Sequence, residues 1–268
     1  SESEAEEVEE VEVAEVEETK EVVIVDPATC PDEIIGHVRR KGFTPKAILL
    51  THGHFDHIGA FMNTYYKQSD IDRISVRGVY FTAPDPEQCE AMDEAQIIDS
   101  LQLVLNAQDR FVDDEGNPTK VYRMHLGQRY YFCGLTIDVA LTLEQIEKDA
   151  YANSSSLYNY DFNDTSTWLM AHIDGQKFLC GGDGNYVTQQ EMMKRYAKSY
   201  FNLDVFAVLH HGINVRNDWT DYCTLKTVLY TSWREASIWS SRSALAAKSQ
   251  NAHLRASCQE YVSFGGGT

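Results

Sequence analysis

Three histidines and one aspartate lie within six residues of one another in residues 51–60, which read Thr-His-Gly-His-Phe-Asp-His-Ile-Gly-Ala. If the chain turns here, His52 and His54 can bind one cation, while Asp56 and His57, further round the turn, can bind a second cation nearby. Imidazole with carboxylate suits zinc, manganese or iron, and the lack of a nearby cysteine argues against a structural thiolate site. The stretch predicts a metal centre, with a histidine-rich surface loop as the alternative.

The histidines follow a segment with the pattern of a buried strand. Residues 47–50 are a short, continuous apolar run, and Gly42 and Pro45 mark its start. Another apolar run at 22–25 precedes it, and residues 31–41 between them have helix signals, with acidic residues in the first turn and basic ones in the last. We expect a strand-helix-strand unit with the histidines at the C-terminal end of its second strand.

Two later segments carry groups of the same chemistry. A hairpin predicted at 167–180 from its central Asp-Gly turn leads into Gly-Gly-Asp183, and an apolar run at 203–209 leads into His210-His211-Gly. Asp183 has a second interpretation as the N-cap of a helix expected from about residue 187. Because two glycines allow close backbone approach, we favour the site.

The remaining pattern indicates strands in two groups with helices beside each group. We expect a helix from 58 to about 67, a strand at 75–81, one long helix at 86–107 and a second, antiparallel sheet from 119 to 141. Such an alternation predicts an α/β fold in which helix layers cover two packed sheets.

The three motif segments closely resemble the signature of the metallo-β-lactamase superfamily, from about Val22 to the C-terminus. The His-x-His-x-Asp-His stretch, the segment from Asn163 to Asp183, and the strand with its His-His-Gly end each match that pattern. The last resembles the branch that includes the hydrolase domain of the bacterial competence DNA-uptake channel. The resemblance implies a four-layer αββα sandwich of two mixed β-sheets flanked by helices.

The resemblance also implies a ligand set for Zn²⁺, as one or two ions, with Mn²⁺ or iron as alternatives. His52 and His54 would bind the first metal, Asp56, His57 and His211 the second, and Asp183 both. Asp56 and His210 are the expected catalytic residues, with Asp56 also holding a bridging hydroxide and His210 supporting a ligand or facing the substrate. Most relatives have a further histidine in the first site, for which this chain offers only His125 and His172 as remote substitutes. The first site is therefore expected to be weak, to be completed by Asn163 or Asp164, or to fill only with substrate present.

Charge and composition limit the other possibilities. The net charge is −18, but residues 1–19 contain ten glutamates and no base, so the rest carries about −8. We predict an acidic tail or linker at 1–19 and one metallo-β-lactamase-like domain at 20–268, with an edge strand at 11–16 left open. An acidic chain lacks the basic surface that phosphate binding needs, so nucleic acid is expected only as a substrate.

Other segments carry no further signal. The six scattered cysteines form no Cys-x-x-Cys pair and are expected to be buried or free thiols. No apolar run approaches the roughly 18 residues of a membrane helix, so we expect a soluble chain as given, with cytoplasm and export both open. No phosphate loop or dinucleotide fingerprint is present, and the oligomeric state is not indicated.

Three functions from different classes follow. We favour a hydrolase that uses a metal-bound hydroxide on a phosphoric ester, as a phosphodiesterase or nuclease does. The second is hydrolysis of a thioester, lactone or β-lactam, and the third is a non-catalytic metal-binding module of an envelope protein. The substrate would be a small molecule or a phosphoester.

Overall fold

The computed structural model describes residues 12–16, 20–27, 31–61, 75–132, 134–152, 161–230 and 242–263. The strands within these residues are β1 (Glu12–Val16), β2 (Glu21–Val25), β3 (Thr44–Leu50), β4 (Gly78–Phe81), β5 (Lys120–Tyr122), β6 (Arg129–Phe132), β7 (Leu135–Leu141), β8 (Trp168–Ile173), β9 (Gln176–Cys180), β10 (Asn202–Ala207), β11 (Thr224–Tyr230) and β12 (Cys258–Ser263). The α-helices are α1 (Pro31–Lys41), α2 (Phe55–Ile58), α3 (Pro86–Ala91), α4 (Ile98–Leu105), α5 (Leu143–Ala152), α6 (Tyr186–Arg195), α7 (Asn217–Tyr222) and α8 (Arg242–Ser257).

The strands form two mixed sheets. The first has the order β1-β2-β3-β4-β5, in which β1 runs antiparallel to β2 and the other pairs are parallel. The second has the order β12-β11-β10-β9-β8-β7-β6, with parallel pairs from β12 to β9 and antiparallel pairs from β9 to β6. The predicted strand-helix-strand unit is β2, α1 and β3, and the predicted hairpin is β8 and β9.

Alternating side chains of the central strands bury both faces of each sheet. In β3, Ala47 and Leu49 pack with Val139 and Leu169 of the second sheet, whereas Ile48 packs with residues of the helices on the other side. A third apolar cluster lies between the second sheet and its own helices and includes Trp168 and Trp219. Three apolar layers between four layers of secondary structure confirm the predicted αββα sandwich.

Several sequence expectations need correction. The helix predicted at 86–107 is divided into α3 and α4, because Asp93 adopts a left-handed backbone (φ 62°) and interrupts the helical hydrogen bonds. The antiparallel sheet predicted from 119 to 141 was wrong for β5, which pairs in parallel with β4 in the first sheet. The period-2 pattern fits a strand in either sheet, so it could not assign β5.

Other boundaries differ by a few residues. The helix expected from 58 begins earlier, at Phe55, and continues as a 3₁₀ turn to Phe61, beyond which its prediction lies outside the described residues. The strand predicted at 75–81 is β4. Within the predicted tail, Glu12–Val16 form β1 at the edge of the first sheet, as the sequence had left open, while the domain boundary at residue 20 stays a prediction.

Among the described residues, no helix is both long and apolar enough to cross a bilayer. Cys89, Cys180, Cys223 and Cys258 are free thiols, in line with the sequence expectation.

Candidate metal centre

The loop after β3 carries four of the predicted residues into the interior. Its backbone is fixed by Asp26, which follows β2 and accepts hydrogen bonds from the Thr51 amide (2.8 Å) and hydroxyl (2.6 Å). His52 and His57 are buried, while His54 is the residue before α2 and makes no capping bond with its side chain. The histidine loop after β3 is therefore held in place by Asp26 at the end of β2, the parallel strand next to β3. Functional loops at the C-terminal ends of neighbouring parallel strands are typical of α/β sheets.

Asp183 reaches the same place from the second sheet, in the turn after β9. Gly182 has a φ of 52°, and a Cβ there would lie 2.4 Å from the Thr51 hydroxyl oxygen, so a side chain does not fit between the two loops. The helix α6 begins at Tyr186 with Asn185 as its N-cap, so the alternative role of Asp183 as a helix cap was wrong. Asp183 is buried and points toward the histidines.

His210 and His211 follow β10 in consecutive left-handed conformations, with φ values of 47° and 50°. Such a backbone costs a non-glycine residue about 1–3 kcal/mol, so its persistence marks a functional constraint. The His210 amide donates to the Gly182 carbonyl (3.1 Å), which joins this turn to the Asp183 turn. The two imidazoles diverge, with ring centroids 6.4 Å apart.

One group of four side chains surrounds the Oδ1 atom of Asp183. His57 Nε2 lies 3.2 Å from that oxygen and His211 Nε2 lies 3.7 Å from it. Asp56 Oδ2 closes the group, at 3.7 Å from His57 Nε2 and 2.9 Å from His211 Nε2. These four residues are the predicted second site, and their ligand atoms lie close enough together to hold a cation.

A second group faces the other oxygen of Asp183. His52 Nε2 lies 3.8 Å from Asp183 Oδ2 and 3.1 Å from His54 Nδ1. These three residues are the predicted first site, again with ligand atoms close enough for a cation. His210 Nε2 lies 3.7 Å from the same Oδ2 atom. All seven predicted site residues therefore converge in one place.

The distances between the ligand atoms fit a bound cation, and so does the chemistry of the donor groups. Four ligands about 2.1 Å from a tetrahedral zinc ion lie about 3.4 Å from one another, close to the separations above. His57 Nε2 is buried and makes no aligned hydrogen bond, although it lies 3.2 Å from a carboxylate oxygen. A buried polar atom in that situation needs a partner, which a cation among the four atoms would supply.

Two carboxylates outside the predicted ligand set support the imidazoles. Asp26 Oδ2 lies 2.9 Å from His57 Nδ1, and through the Thr51 hydroxyl it also reaches His52 Nδ1, 3.3 Å from that hydroxyl. Glu94 lies 3.7 Å from His54 Nε2. Metal-binding histidines usually direct their other nitrogen to such groups. The position of Asp26 at a strand end was the only signal in the sequence.

The ionisable groups of the centre strongly shift one another's pKa values. Burial alone would raise the pKa of Asp183, but His57 and His52 hold it well below the usual range. Burial would likewise lower the pKa of His57, yet Asp183 and Asp26 raise it well above the ordinary value. Burial keeps the pKa of His52 well below that value. Without metal, a proton on His57 therefore supplies the positive charge between the carboxylates.

Asp56 and His211 form the most exposed part of the centre. Burial opposes ionisation of Asp56, but its hydrogen bond with His211 and the charge of His57 hold its pKa below the usual range. The same bond with Asp56 raises the pKa of His211. Asp56 has 48% of its side chain exposed, so the centre opens to solvent on this side.

Other predicted or alternative residues lie elsewhere. Asp164 turns to the amide of Asp161 (3.1 Å) in a capping box, and burial raises its pKa to about 7. His125 and His172 pair with Glu144 and Asp138, away from the centre. Phe162 contacts His54, with ring centroids 5.0 Å apart.

Comparison with known proteins found similarities in sequence over part of the chain. A sequence model described as the metallo-beta-lactamase superfamily matches residues 12–122. The chain is 55% identical over 38 residues to the probable metallo-hydrolase YqgX of Bacillus subtilis (strain 168), covering 14% of this chain and 18% of that protein. It is 28% identical over 120 residues to the hydroxyacylglutathione hydrolase of Buchnera aphidicola subsp. Baizongia pistaciae (strain Bp), covering 44% and 43%.

The fold also matches a solved structure over nearly its whole length. The metallo-beta-lactamase fold protein YhfI from Bacillus subtilis superimposes with a TM-score of 0.51 at 10% identity, over 97% of this chain and 90% of that one. At this low identity the structural similarity concerns the fold alone. The chain spans less than half the length of the two curated relatives above.

Proposed function

We propose that the chain is a metal-dependent hydrolase of the metallo-beta-lactamase superfamily, whose sequence model matches residues 12–122, and that its substrate is a phosphoric ester. The observation that carries the proposal is the position of Asp183, whose two oxygens face two separate groups of imidazoles. Two cations that share a carboxylate lie close enough to stabilise both the attacking and the leaving oxygen of a displacement at phosphorus.

The proposed ligands divide between the two oxygens of Asp183. His52 and His54 would hold one cation, Asp56, His57 and His211 the other, and Asp183 both. Bound there, two divalent cations would act as Lewis acids and would lower the pKa of water toward neutrality. We expect zinc, with manganese or iron as alternatives, because imidazole and carboxylate ligands accept all three.

Asp56 has the position of the residue that meets the reacting groups. It is the most exposed carboxylate of the centre, and in the metal-free chain its Oδ2 atom lies 2.9 Å from His211 Nε2, at hydrogen-bond distance. Its low pKa keeps it ionised, so it would accept a hydrogen bond from an attacking water molecule and orient a lone pair of that water toward the substrate. The proton of the water would pass to solvent on this open side.

The charge of the chain bears on the class of substrate. With a net charge of −18, the chain offers no general attraction for a polyanion, so the affinity for a phosphate group would come from the cations. We therefore favour a compact phosphodiester over a long nucleic acid that needs many contacts with Lys and Arg.

Hydrolysis of a thioester is the second candidate. It is favoured by the similarity to the hydroxyacylglutathione hydrolase of Buchnera aphidicola, which extends over 120 residues at 28% identity. The same ligand groups would polarise a carbonyl oxygen, so the difference between the two substrates lies in the walls of the site and not in the metal ligands.

A substrate screen separates these functions. The zinc- and manganese-loaded protein is assayed with bis-p-nitrophenyl phosphate, a hydroxyacyl glutathione thioester, a lactone and nitrocefin, beside protein treated with a chelator. We expect metal-dependent cleavage of the phosphodiester with the highest kcat/KM. Preferential cleavage of the thioester would overturn the phosphoester proposal in favour of the second candidate. Failure with all four substrates, at full metal occupancy, would favour a non-catalytic metal-binding module.

A further inference from the structure

The two groups of ligands around Asp183 are unequal. The group at Oδ1 contains two imidazoles and two carboxylates, from Asp56, His57, Asp183 and His211. The group at Oδ2 contains only His52, His54 and Asp183. A tetrahedral site needs a fourth donor, from the protein or from a bound molecule, and the missing donor determines how tightly the first cation is held.

Asn163 and Asp164 do not have the contacts that would make them this donor. The Asp164 carboxylate accepts the Asp161 amide at 3.1 Å, and its other charged neighbour in the described chain is Asp161 itself. The backbone amide of Asn163 donates to the Asp161 carboxylate at 2.8 Å within the same 3₁₀ turn, and the Oδ1 atoms of both Asn163 and Asp164 are buried without a hydrogen bond. No hydrogen bond or ion pair in the described part of the chain joins either side chain to the histidines.

His210 has the contacts that they lack. Its Nε2 atom lies 3.7 Å from Asp183 Oδ2, the same oxygen that lies 3.8 Å from His52 Nε2. The neighbouring His211 lies 3.7 Å from the other oxygen, Oδ1. The carboxylate thus separates the two consecutive histidines, with His210 on the side of the first group and His211 on the side of the second.

The imidazole of His210 also has an unmet need for a partner. Only 18% of the side chain is exposed, its Nδ1 atom is buried with no hydrogen bond among the described residues, and Nε2 is too far from Asp183 for one. Its backbone is held in a left-handed conformation by the bond from its amide to Gly182. Nε2 is the nitrogen that lies near Asp183, and a cation beside Oδ2 would give this atom a partner.

We propose that His210 is the third imidazole ligand of the first metal site, in place of the histidine that most superfamily members have at another position. The first site is then His52, His54 and Asp183, whose ligand atoms already lie close together, with His210 joining them from beside Asp183 Oδ2 when a cation binds. The second site is Asp56, His57, His211 and Asp183. The inference rests on the metal centre of the proposed function and is independent of the substrate. His210 would then bind a metal ion, whereas the sequence had indicated that it supports a ligand or faces the substrate.

Cobalt titration of metal-free protein tests this assignment. Visible absorption of Co²⁺ reports the number and type of its ligands, and calorimetry with Zn²⁺ gives the stoichiometry and affinities. The variants are His210→Asn, His211→Asn and the remote control His172→Asn. Asparagine is chosen because it tolerates a left-handed backbone better than alanine does. Thermal unfolding of each metal-free variant verifies that it folds, and His210→Gly replaces any variant that does not.

The wild type and His172→Asn are expected to bind two cobalt ions per chain. His210→Asn should lose the first ion, or bind it on the order of 10²-fold more weakly, and keep the second, whereas His211→Asn should weaken the second. Two tightly bound ions with an unchanged spectrum in His210→Asn would overturn the assignment. So would loss of the first ion from Asn163→Ala or Asp164→Asn. These experiments measure metal binding and not catalytic turnover. A protein without the proposed hydrolase activity could therefore still confirm or contradict the role of His210.

Discussion

At the scale of single residues, the proposed catalytic role depends on Asp56. It combines a place among the ligands with a solvent-exposed carboxylate and a hydrogen bond to His211. Most other ligand side chains are more deeply buried, so they can hold a cation but have less access to a substrate. The chemistry of the whole centre therefore depends on a side chain whose charge can be removed with little change of shape.

We predict that Asp56→Asn lowers kcat/KM at least 10²-fold, which corresponds to about 2.7 kcal/mol of transition-state stabilisation. Asparagine keeps the size of the side chain but removes the negative charge that binds the cation and orients water. Steady-state kinetics on the substrate found by the screen measures the change. His172→Asn, which alters a histidine paired with Asp138 outside the centre, should leave the rate near that of the wild type. Equal activity of Asp56→Asn and the wild type would contradict a hydrolytic role for the centre.

Asp26 supports ligands of both sites, so its charge should affect both. In the metal-free protein the pKa of His57 is raised by Asp183 and Asp26 above its ordinary value, against the effect of burial. Below this raised pKa the imidazole carries a proton that a cation must displace. Metal affinity should therefore increase with pH up to the raised pKa, and binding near pH 7 should release a proton.

We predict that Asp26→Asn weakens metal binding 10- to 100-fold, the range typical of such supporting groups, and reduces the proton release. Calorimetry in buffers of different ionisation enthalpy measures both quantities. Asp138→Asn is the matched control, because Asp138 also contacts a histidine, 3.2 Å from His172 Nε2, but lies outside the centre. Unchanged affinity and proton release in Asp26→Asn would show that the Asp26 contacts are not maintained with metal bound.

At the scale of elements, the centre depends on how closely the turn after β9 approaches the loop after β3. Gly182 and Gly175 both have positive φ, 52° and 77°, but only Gly182 is crowded. A Cβ at Gly182 would lie 2.6 Å from the Thr51 Cβ, whereas a Cβ at Gly175 would meet no atom within 4 Å. Substitutions at the two glycines therefore distinguish the cost of a left-handed backbone, which both share, from the cost of steric contact, which only Gly182 has.

We predict that Gly175→Ala costs about 1 kcal/mol through backbone strain alone. Gly182→Ala should cost a further 1–3 kcal/mol or so because the two loops must move apart, and it should displace Asp183 from the imidazoles. Chemical denaturation and metal content measure the two effects. If both variants lose equal stability and keep their metal, the close approach of the loops is not needed for the centre.

At the scale of the whole molecule, the centre connects the two sheets. Asp26 and the histidine loop follow β2 and β3 of the first sheet, and Asp183 and the His-His turn follow β9 and β10 of the second. A cation bound by all of them exists only in the folded chain, so its binding free energy adds to the free energy of unfolding.

We predict that removal of metal with a chelator lowers Tm by about 5–10 °C. The estimate takes a free metal concentration 100-fold above Kd, which contributes about 2.7 kcal/mol, and about 2–4 °C per kcal/mol for a domain of this size. Differential scanning calorimetry of loaded and chelated protein measures the shift. Equal Tm values at full metal occupancy would mean that the ligands bind metal equally well in the unfolded chain.

The acidic N-terminal segment gives a second prediction at this scale. Removal of residues 1–11 should leave stability nearly unchanged, because blocks of glutamate bury little. Removal of residues 1–19 should cost more, since it also removes β1, which pairs with β2 from Glu12 to Val16. Denaturation of the two truncated proteins compares them. Equal stability would restore residue 20 as the start of the folded unit.

The sequence by itself determined the elements and the chemistry that depend on local pattern. The spacing of His52, His54, Asp56 and His57 indicated a metal loop, because that spacing places several ligands on a single turn after a strand. Alternation in β8 and β9 with their Asp-Gly turn indicated a hairpin, and the resemblance to a known family indicated the order of layers. These features require only neighbours in the chain.

The tertiary structure decided contacts between distant groups that the sequence and the family resemblance had not assigned. The sheet that takes β5 depends on long-range pairing with β4, and a period-2 pattern is the same in either sheet. The contact of Asp26 with His57 spans 31 residues, and nothing in the local pattern fixes it. The division of His210 and His211 between the two oxygens of Asp183 follows from two left-handed residues and the packing of two loops. Such arrangements arise from packing across the two sheets, which the order of residues along the chain does not encode locally.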